Sequence, residues 1–331
     1  MKTERYDSIQ ALRGIAAFVV VLCHIRFMKG YGQFGVDIFF CISGFIMMHV
    51  TQNETKDFLI KRALRILPLY YGITLFTYVA ILIKPDLFHS SEATPEYLLK
   101  SLLFIPYTRN GITQPILGVG WTLNYEIWFY IIIYLATKIN IKYRAVISSA
   151  VLAVLVLLRV FIKTDSVVFN FFTDPIILEF ALGMLGYILC QVFWGRQIDS
   201  PSRYRKNLSL VTICLLIAVM YVLQYRFIFV TRFIREGIPA FLILLIASCN
   251  FENSDIPKIL IWLGNISFSL YLVHYYTIFF FDRLVYSLDT LTSVSVMFAV
   301  IAVAVSIGAG AVSYWLVEKN LTGWLRTKIL R

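Results

Sequence analysis

ALRGIAAFVVVLCH, residues 11–24, sets Arg13 and His24 with ten residues between them in an otherwise apolar run. Two ionisable side chains inside such a run are costly in a bilayer, so they are expected to face a cavity or each other. Around this stretch the chain of 331 residues is 59% hydrophobic, 16% aromatic and 15% charged, with a mean hydropathy of +0.76. That composition is one of an integral membrane protein. Apolar stretches near the roughly 20 residues needed to cross a bilayer recur from end to end. A single transmembrane domain over 1–331, with no appended soluble domain, is therefore expected.

Spans are expected near 9–28, 33–50, 67–83, 121–138, 145–162, 175–194, 208–224, 236–250, 259–280 and 292–316. The fold class is all-α: a polytopic membrane protein of about ten transmembrane helices. The stretch 97–107, YLLKSLLFIPY, is too short and interrupted to cross, and reads as re-entrant or interfacial. With the N-terminus cytoplasmic, the basic segments TQNETKDFLIKRALRI, KINIKYR, GRQIDSPSRYRKN and EKNLTGWLRTKILR all fall inside. Both termini are then cytoplasmic, as the positive-inside rule asks.

The opening MKTERYDSIQ lacks the features of a cleaved signal peptide. The excess of 30 Lys+Arg over 19 Asp+Glu reports topology and contact with anionic lipid. No nucleic-acid module accompanies it. QYRFIFVTRFIR, 224–235, is a basic segment left on the outer side, where contact with an anionic acceptor is one reading. The five cysteines fall in or beside apolar helices without metal-ligand spacing, and are expected as buried packing residues. No metal is expected.

Depth orders the polar residues. At 1.5 Å per residue, the eleven steps from Arg13 to His24 span roughly 16 Å. Arg13 falls near the cytoplasmic face and His24 in the outer part of the membrane. Asp37, near the outer end of the second span, Glu126 in WTLNYEIWFY, and His274, some 22 Å up its own span, are expected at the level of His24. The structural alternatives are a cap for Asp37 and an interfacial histidine for His274. His49 and His89, near span boundaries, carry no assigned role. Arg62 and Arg65 in KRALRILPLY are neighbours on one helical face. They suit either a phosphate clamp or an ordinary positive-inside anchor, with Pro68 ending or kinking the helix.

These residues, with GVDIFFCISGF at 35–45, LGNISFSLYLVH ending at His274 and a late YWLVEK, resemble the acyltransferase-3 family. Its members are bacterial inner-membrane O-acyltransferases that modify surface polysaccharides. The resemblance covers about 5–320 and implies a cytoplasmic acyl-CoA donor, acetyl-CoA above all, and a polysaccharide or lipid-linked sugar acceptor. On that basis Arg13, Arg62 and Arg65 are expected to hold the anionic end of the donor. His24 is expected to act as general base or as acetyl carrier, with Glu126 or Asp37 orienting it and His274 as a further candidate. The competing readings are a transporter or flippase for lipid-linked sugars, whose membrane charges would relay protons, and a non-catalytic organiser of an assembly complex.

Overall fold

A computed structural model describes residues 6–28, 30–52, 56–85, 92–194, 201–226, 230–288 and 292–330. His89 and parts of the basic segments, 53–55, 195–200 and 227–229, lie outside the described residues. The chain is a helical bundle. Helices α1 (Asp7–Cys23), α2 (Gly35–Val50) and α3 (Phe58–Ile83) are followed by a short α4 (Pro95–Leu102) and a two-stranded hairpin, β1 (Thr108–Arg109) and β2 (Ile112–Thr113). Then come α5 (Trp121–Ile139), α6 (Arg144–Phe161), α7 (Val167–Phe172), α8 (Leu178–Trp194), α9 (Arg203–Arg226), α10 (Ile238–Asn250), α11 (Lys258–Leu288), α12 (Thr292–Ser313) and α13 (Thr322–Ile329).

Among the described residues, seven helices are long and apolar enough to cross a membrane, and α2 is a shorter apolar helix. The long helices that fall outside those seven are α1, α2 and α5, of 17, 16 and 19 residues. They are the inner ones. Most of α2 is buried, and α1 packs against α2, α10, α11 and α12, so protein rather than lipid surrounds their polar residues. The periphery is the reverse: Leu208, Leu215, Val219 and Val222 of α9 are exposed apolar side chains. Cys214 on that helix is exposed too, whereas Cys23, Cys41 and Cys190 are buried. The expectation of a buried packing residue fails at Cys214 because the apolar outer face of this bundle is a lipid-facing surface.

Two helix crossings are set by glycine. A Cβ on Gly264 of α11 would overlap the Gln10 carbonyl oxygen of α1, and one on Gly14 would lie 2.7 Å from the Gly264 nitrogen. A Cβ on Gly183 of α8 would overlap the Cys41 carbonyl, and one on Gly44 that of Phe180. Small residues let helix backbones meet where lipid supplies no hydrophobic drive. The LGN and ISG elements of the sequence thus bring α11 onto α1 and α8 onto α2.

The ends of the bundle are cross-linked in two layers. At one end Asp7 N donates to Asn253 Oδ1 at 3.0 Å, and Gln191 Nε2 to Tyr6 Oη at 3.0 Å. Arg144 caps α2 there by donating to Met48 O and to Thr51 Oγ1. At the other end Arg159 pairs with Asp174 at 3.1 Å. These layers alternate along the chain as an up-and-down bundle requires.

Helix α4 has eight residues, about 12 Å by its rise. It starts at Thr94, whose side chain accepts from Tyr97 N. The hairpin turns through Asn110 and Gly111, at φ 50° and 76°, the pair of positive angles that an Asn-Gly hairpin turn adopts. Ser101 ties the two pieces together, bonding Tyr107 Oη at 2.9 Å and accepting from Ile116 N at 3.0 Å. Burial pushes the Tyr107 phenol above its ordinary value.

Helix α3 corrects an expectation. It begins at Phe58, well before the anticipated 67, and runs through Pro68 to Ile83. Membrane helices tolerate an interior proline when neighbours satisfy the freed backbone groups. Lys61, Arg62 and Arg65 therefore lie within the helix and not in a loop ahead of it.

Candidate active site

His24 is the residue that ends α1. Its backbone N–H goes to Val21 O, which leaves the Val20 carbonyl of the last turn without the usual i+4 donor. The His24 ring supplies one instead: Nδ1 lies 2.9 Å from Val20 O. The same nitrogen is 3.3 Å from Nε2 of His274 on α11, and the two rings meet edge to face at 4.8 Å. His274 is fully buried, with Nδ1 3.2 Å from Leu270 O.

One pair of tautomers satisfies these contacts. An Nδ1–H on His274 donates to Leu270 O, leaving its Nε2 as acceptor. An Nδ1–H on His24 is shared between Val20 O and that Nε2, with Cys23 Sγ at 3.2 Å as a weak further acceptor. The hydrogen-bond pattern thereby assigns the lone pair of His24 to Nε2, the nitrogen that proton abstraction requires.

Two cavities flank this level. The first, of about 730 Å³, is lined by Arg13, Arg65, Glu126 and Tyr130 among apolar side chains. Tyr130 Oη donates to Glu126. Arg62, one turn before Arg65, has a buried Nε with no hydrogen-bond partner among the described residues. Glu318 interacts electrostatically with Arg13 and Arg65 and accepts from Ser269 N at 3.1 Å. It is carried by a π-helical segment, Tyr314–Leu321, between α12 and α13. Such bulges recur at functional sites. The second cavity, of about 710 Å³, is lined by His24, Arg109, Gln114, Trp121, Tyr275 and Tyr276 among others.

Tyr271 stands between them. It lines the first cavity, donates to Val119 O at 2.9 Å and bonds Thr122 Oγ1 at 3.0 Å. Val119 lines the second cavity.

The two carboxylates considered as partners of His24 are engaged by other side chains, Glu126 by Tyr130 and Asp37 by Arg232. Glu126 shares the arginine cavity and not the histidine level. Helix α5 is preceded by α4, the hairpin and a 3₁₀ turn at Gly118–Gly120. Trp121, the first residue of α5, already lines the cavity of His24, so Glu126 lies about 7.5 Å deeper. Asp37, fully buried, accepts two hydrogen bonds from Arg232, at 2.9 and 2.8 Å. Glu236 stands 3.4 Å from Arg232 and 2.8 Å from Arg235. Arg232 and Arg235 of the basic segment 224–235 thus pair with carboxylates of the bundle itself.

A family model described as an acyltransferase domain matches residues 6–316. The chain belongs to the acyltransferase-3 family. Over 159 residues it is 35% identical to the exopolysaccharide production protein ExoZ of Rhizobium meliloti, covering 46% of this chain and 50% of that protein. It is 26% identical over 313 residues to the putative peptidoglycan O-acetyltransferase YrhL of Bacillus subtilis, covering 83% of this chain and 49% of that protein. It is also 26% identical over 322 residues to the peptidoglycan O-acetyltransferase OatA of Listeria monocytogenes, covering 83% and 50%. The chain spans about half the length of each of these three. No solved structure matches.

In this acyltransferase domain, Tyr271, Glu318 and Arg109 join the site without having been singled out by sequence, and Arg232, read there only as part of a basic segment, joins as the partner of Asp37. Tyr271 and Glu318 sit inside the motifs SFSLYLVH and YWLVEK. Arg109 precedes an Asn-Gly pair whose hairpin signal is overshadowed by the helical pattern around it.

Proposed function

We propose that this chain is a multi-pass membrane O-acyltransferase that moves an acetyl group from cytoplasmic acetyl-CoA to a hydroxyl of a cell-surface or lipid-linked polysaccharide sugar. The observation that carries the reading is the pair of cavities that approach each other at Thr122 and Tyr271, with the His24–His274 pair at that level. Ten crossings, with both termini on the cytoplasmic side of a bacterial inner membrane, agree with the basic residues gathered at the Asp7 end.

The residues present suit the donor. Arg13 and Arg65 line a cavity where they would meet the anionic part of coenzyme A, and the buried Arg62 Nε, unmatched among the described residues, is a donor suited to a phosphate oxygen. Acetyl-CoA supplies an activated acyl group on a long arm, and the rise from Arg13 to His24, roughly 16 Å, separates an anion site from a reaction site. Glu126, Tyr130 and Glu318 orient the arginines by charge and hydrogen bonding.

At the other end, His24 Nε2 takes the proton of the sugar hydroxyl as the oxygen attacks the acyl carbon; the thioester C–S bond then breaks, and the sulfur of coenzyme A leaves with that proton returned from His24. His274 holds the ring in the tautomer that makes this possible, the orienting role a carboxylate fills in the triads of hydrolases. The relatives named for exopolysaccharide production and peptidoglycan O-acetylation support an acceptor among envelope polysaccharides. The test is to give the purified chain radiolabelled acetyl-CoA and envelope oligosaccharides. Label on sugar oxygen is the expected result. Donor binding without transfer to any of them, or no donor binding, would contradict it.

A further inference from the structure

The cavity beside His24 contains a cation that the proposed chemistry does not use. Arg109 is only 6% exposed and lines that cavity. Of its five N–H donors, Nη1 donates to Glu92 O at 3.1 Å. Among the described residues it forms no ion pair with a carboxylate. Nearby acidic groups have other partners: Asp37 and Glu236 pair with Arg232 and Arg235, Asp174 with Arg159 and Glu96 with Lys100, while Glu92, exposed, offers Arg109 its backbone carbonyl. A buried charge without a counter-charge is unfavourable, and arginine presents a planar fork matched to carboxylate and phosphate. Trp121, Tyr275, Tyr276 and Gln114, also in the lining, combine flat apolar faces with polar edges, as a sugar ring requires.

We propose that this cavity selects an acceptor that carries a negative charge beside the hydroxyl to be acetylated, and that Arg109 reads that charge. The inference rests on the acyltransferase reading above and deepens it by naming the acceptor class. The anion has two possible sources of the same chemistry, a hexuronate carboxylate in the glycan or the diphosphate linking a sugar to its lipid carrier. The hairpin fixes Arg109 in place, because the Asn110–Gly111 turn follows it directly and the strand pairing of Arg109 with Ile112 holds its backbone.

The test measures binding without donor, using the purified full chain in nanodiscs. The probes are a neutral hexose oligosaccharide, the same oligosaccharide with one hexuronate, a neutral hexose on a short isoprenyl diphosphate, and that hexose on an uncharged isoprenyl ether. One charged probe is expected to bind at least tenfold tighter than its neutral match, with a preference that weakens as salt rises. Preference within the first pair places the charge on the glycan, and within the second on the carrier. Arg109→Gln removes the preference, Arg109→Lys keeps part of it, and Gln114→Glu, which adds a negative charge to the same cavity, removes or inverts it. Equal affinity within both pairs for the wild type would overturn the proposal. So would a preference that survives Arg109→Gln or, should that variant fail to fold, one that survives Gln114→Glu. Since donor is absent, failure of acetyl transfer in the same preparation counts against the acyltransferase reading and not against this one.

Discussion

Nε2 of His274 lies 3.3 Å from Nδ1 of His24, although 250 positions separate them in the chain. The contact exists because Gly14 and Gly264 let α1 and α11 cross with their backbones touching, and the same two helices then run on to the histidine level. His274 is therefore expected to act on His24 as a positioning residue. His274→Ala should lower turnover about tenfold or more, less than the 10²–10⁴ of a lost general base. It should also displace the pH–rate profile while leaving acetyl-CoA affinity unchanged. A pH profile identical to wild type, in a variant of normal fold, would remove that role.

The donor site predicts a different signature. Arg62→Ala and Arg65→Ala should each weaken acetyl-CoA binding by about 1.5–3 kcal/mol, roughly tenfold to a hundredfold, with little effect on melting temperature. Calorimetric titration of the double variant decides between this and a topological anchor: unchanged affinity would return both residues to the latter.

Asp37 is predicted to matter for stability ahead of chemistry. Asp37→Asn leaves Arg232 without its bidentate partner, a loss of about 3 kcal/mol, the low end for a broken buried pair because the Arg232 side chain remains 27% exposed. Pairing it with Arg232→Gln should recover part of the melting temperature in detergent. A single variant that melts like wild type yet transfers no acetyl group would make Asp37 a participant in the reaction.

The glycine crossings can be tested against an internal control. Gly183→Ala puts a methyl group into the Cys41 carbonyl, and should destabilise by about 1–3 kcal/mol. Gly308→Ala meets nothing within 4 Å and should be neutral or slightly stabilising, as alanine is the better helix former. Equal effects on melting temperature would contradict the assigned packing.

Sequence reveals most where an interaction follows one helix. The Arg13–His24 spacing, the polytopic class and the brevity of the segment holding α4 are legible because the rise per residue and the bilayer thickness fix them. Convergence of His24 and His274 on one level follows from the same counting. The counting does not separate Glu126 from His24, because it carries no sign of the α4, hairpin and 3₁₀ turn that fold in ahead of α5 and set Trp121 at the cavity of His24 and Glu126 at that of Arg13. Nor does counting reveal the partner of Asp37, since Arg232 lies 195 positions away in the chain. Side-chain pairing between distant helices leaves no periodic trace, so Tyr271, Glu318 and Arg109 emerge only once the helices are assembled.

The central claim is that acyl transfer occurs at His24, apart from the arginines that hold the donor. Its most direct measurement compares purified His24→Ala with wild type, scoring labelled acetyl transfer to glycan and acetyl-CoA affinity on the same samples. The account predicts that transfer falls by at least 10²–10⁴-fold while donor affinity stays at its wild-type value. Near-wild-type turnover in the variant would contradict it.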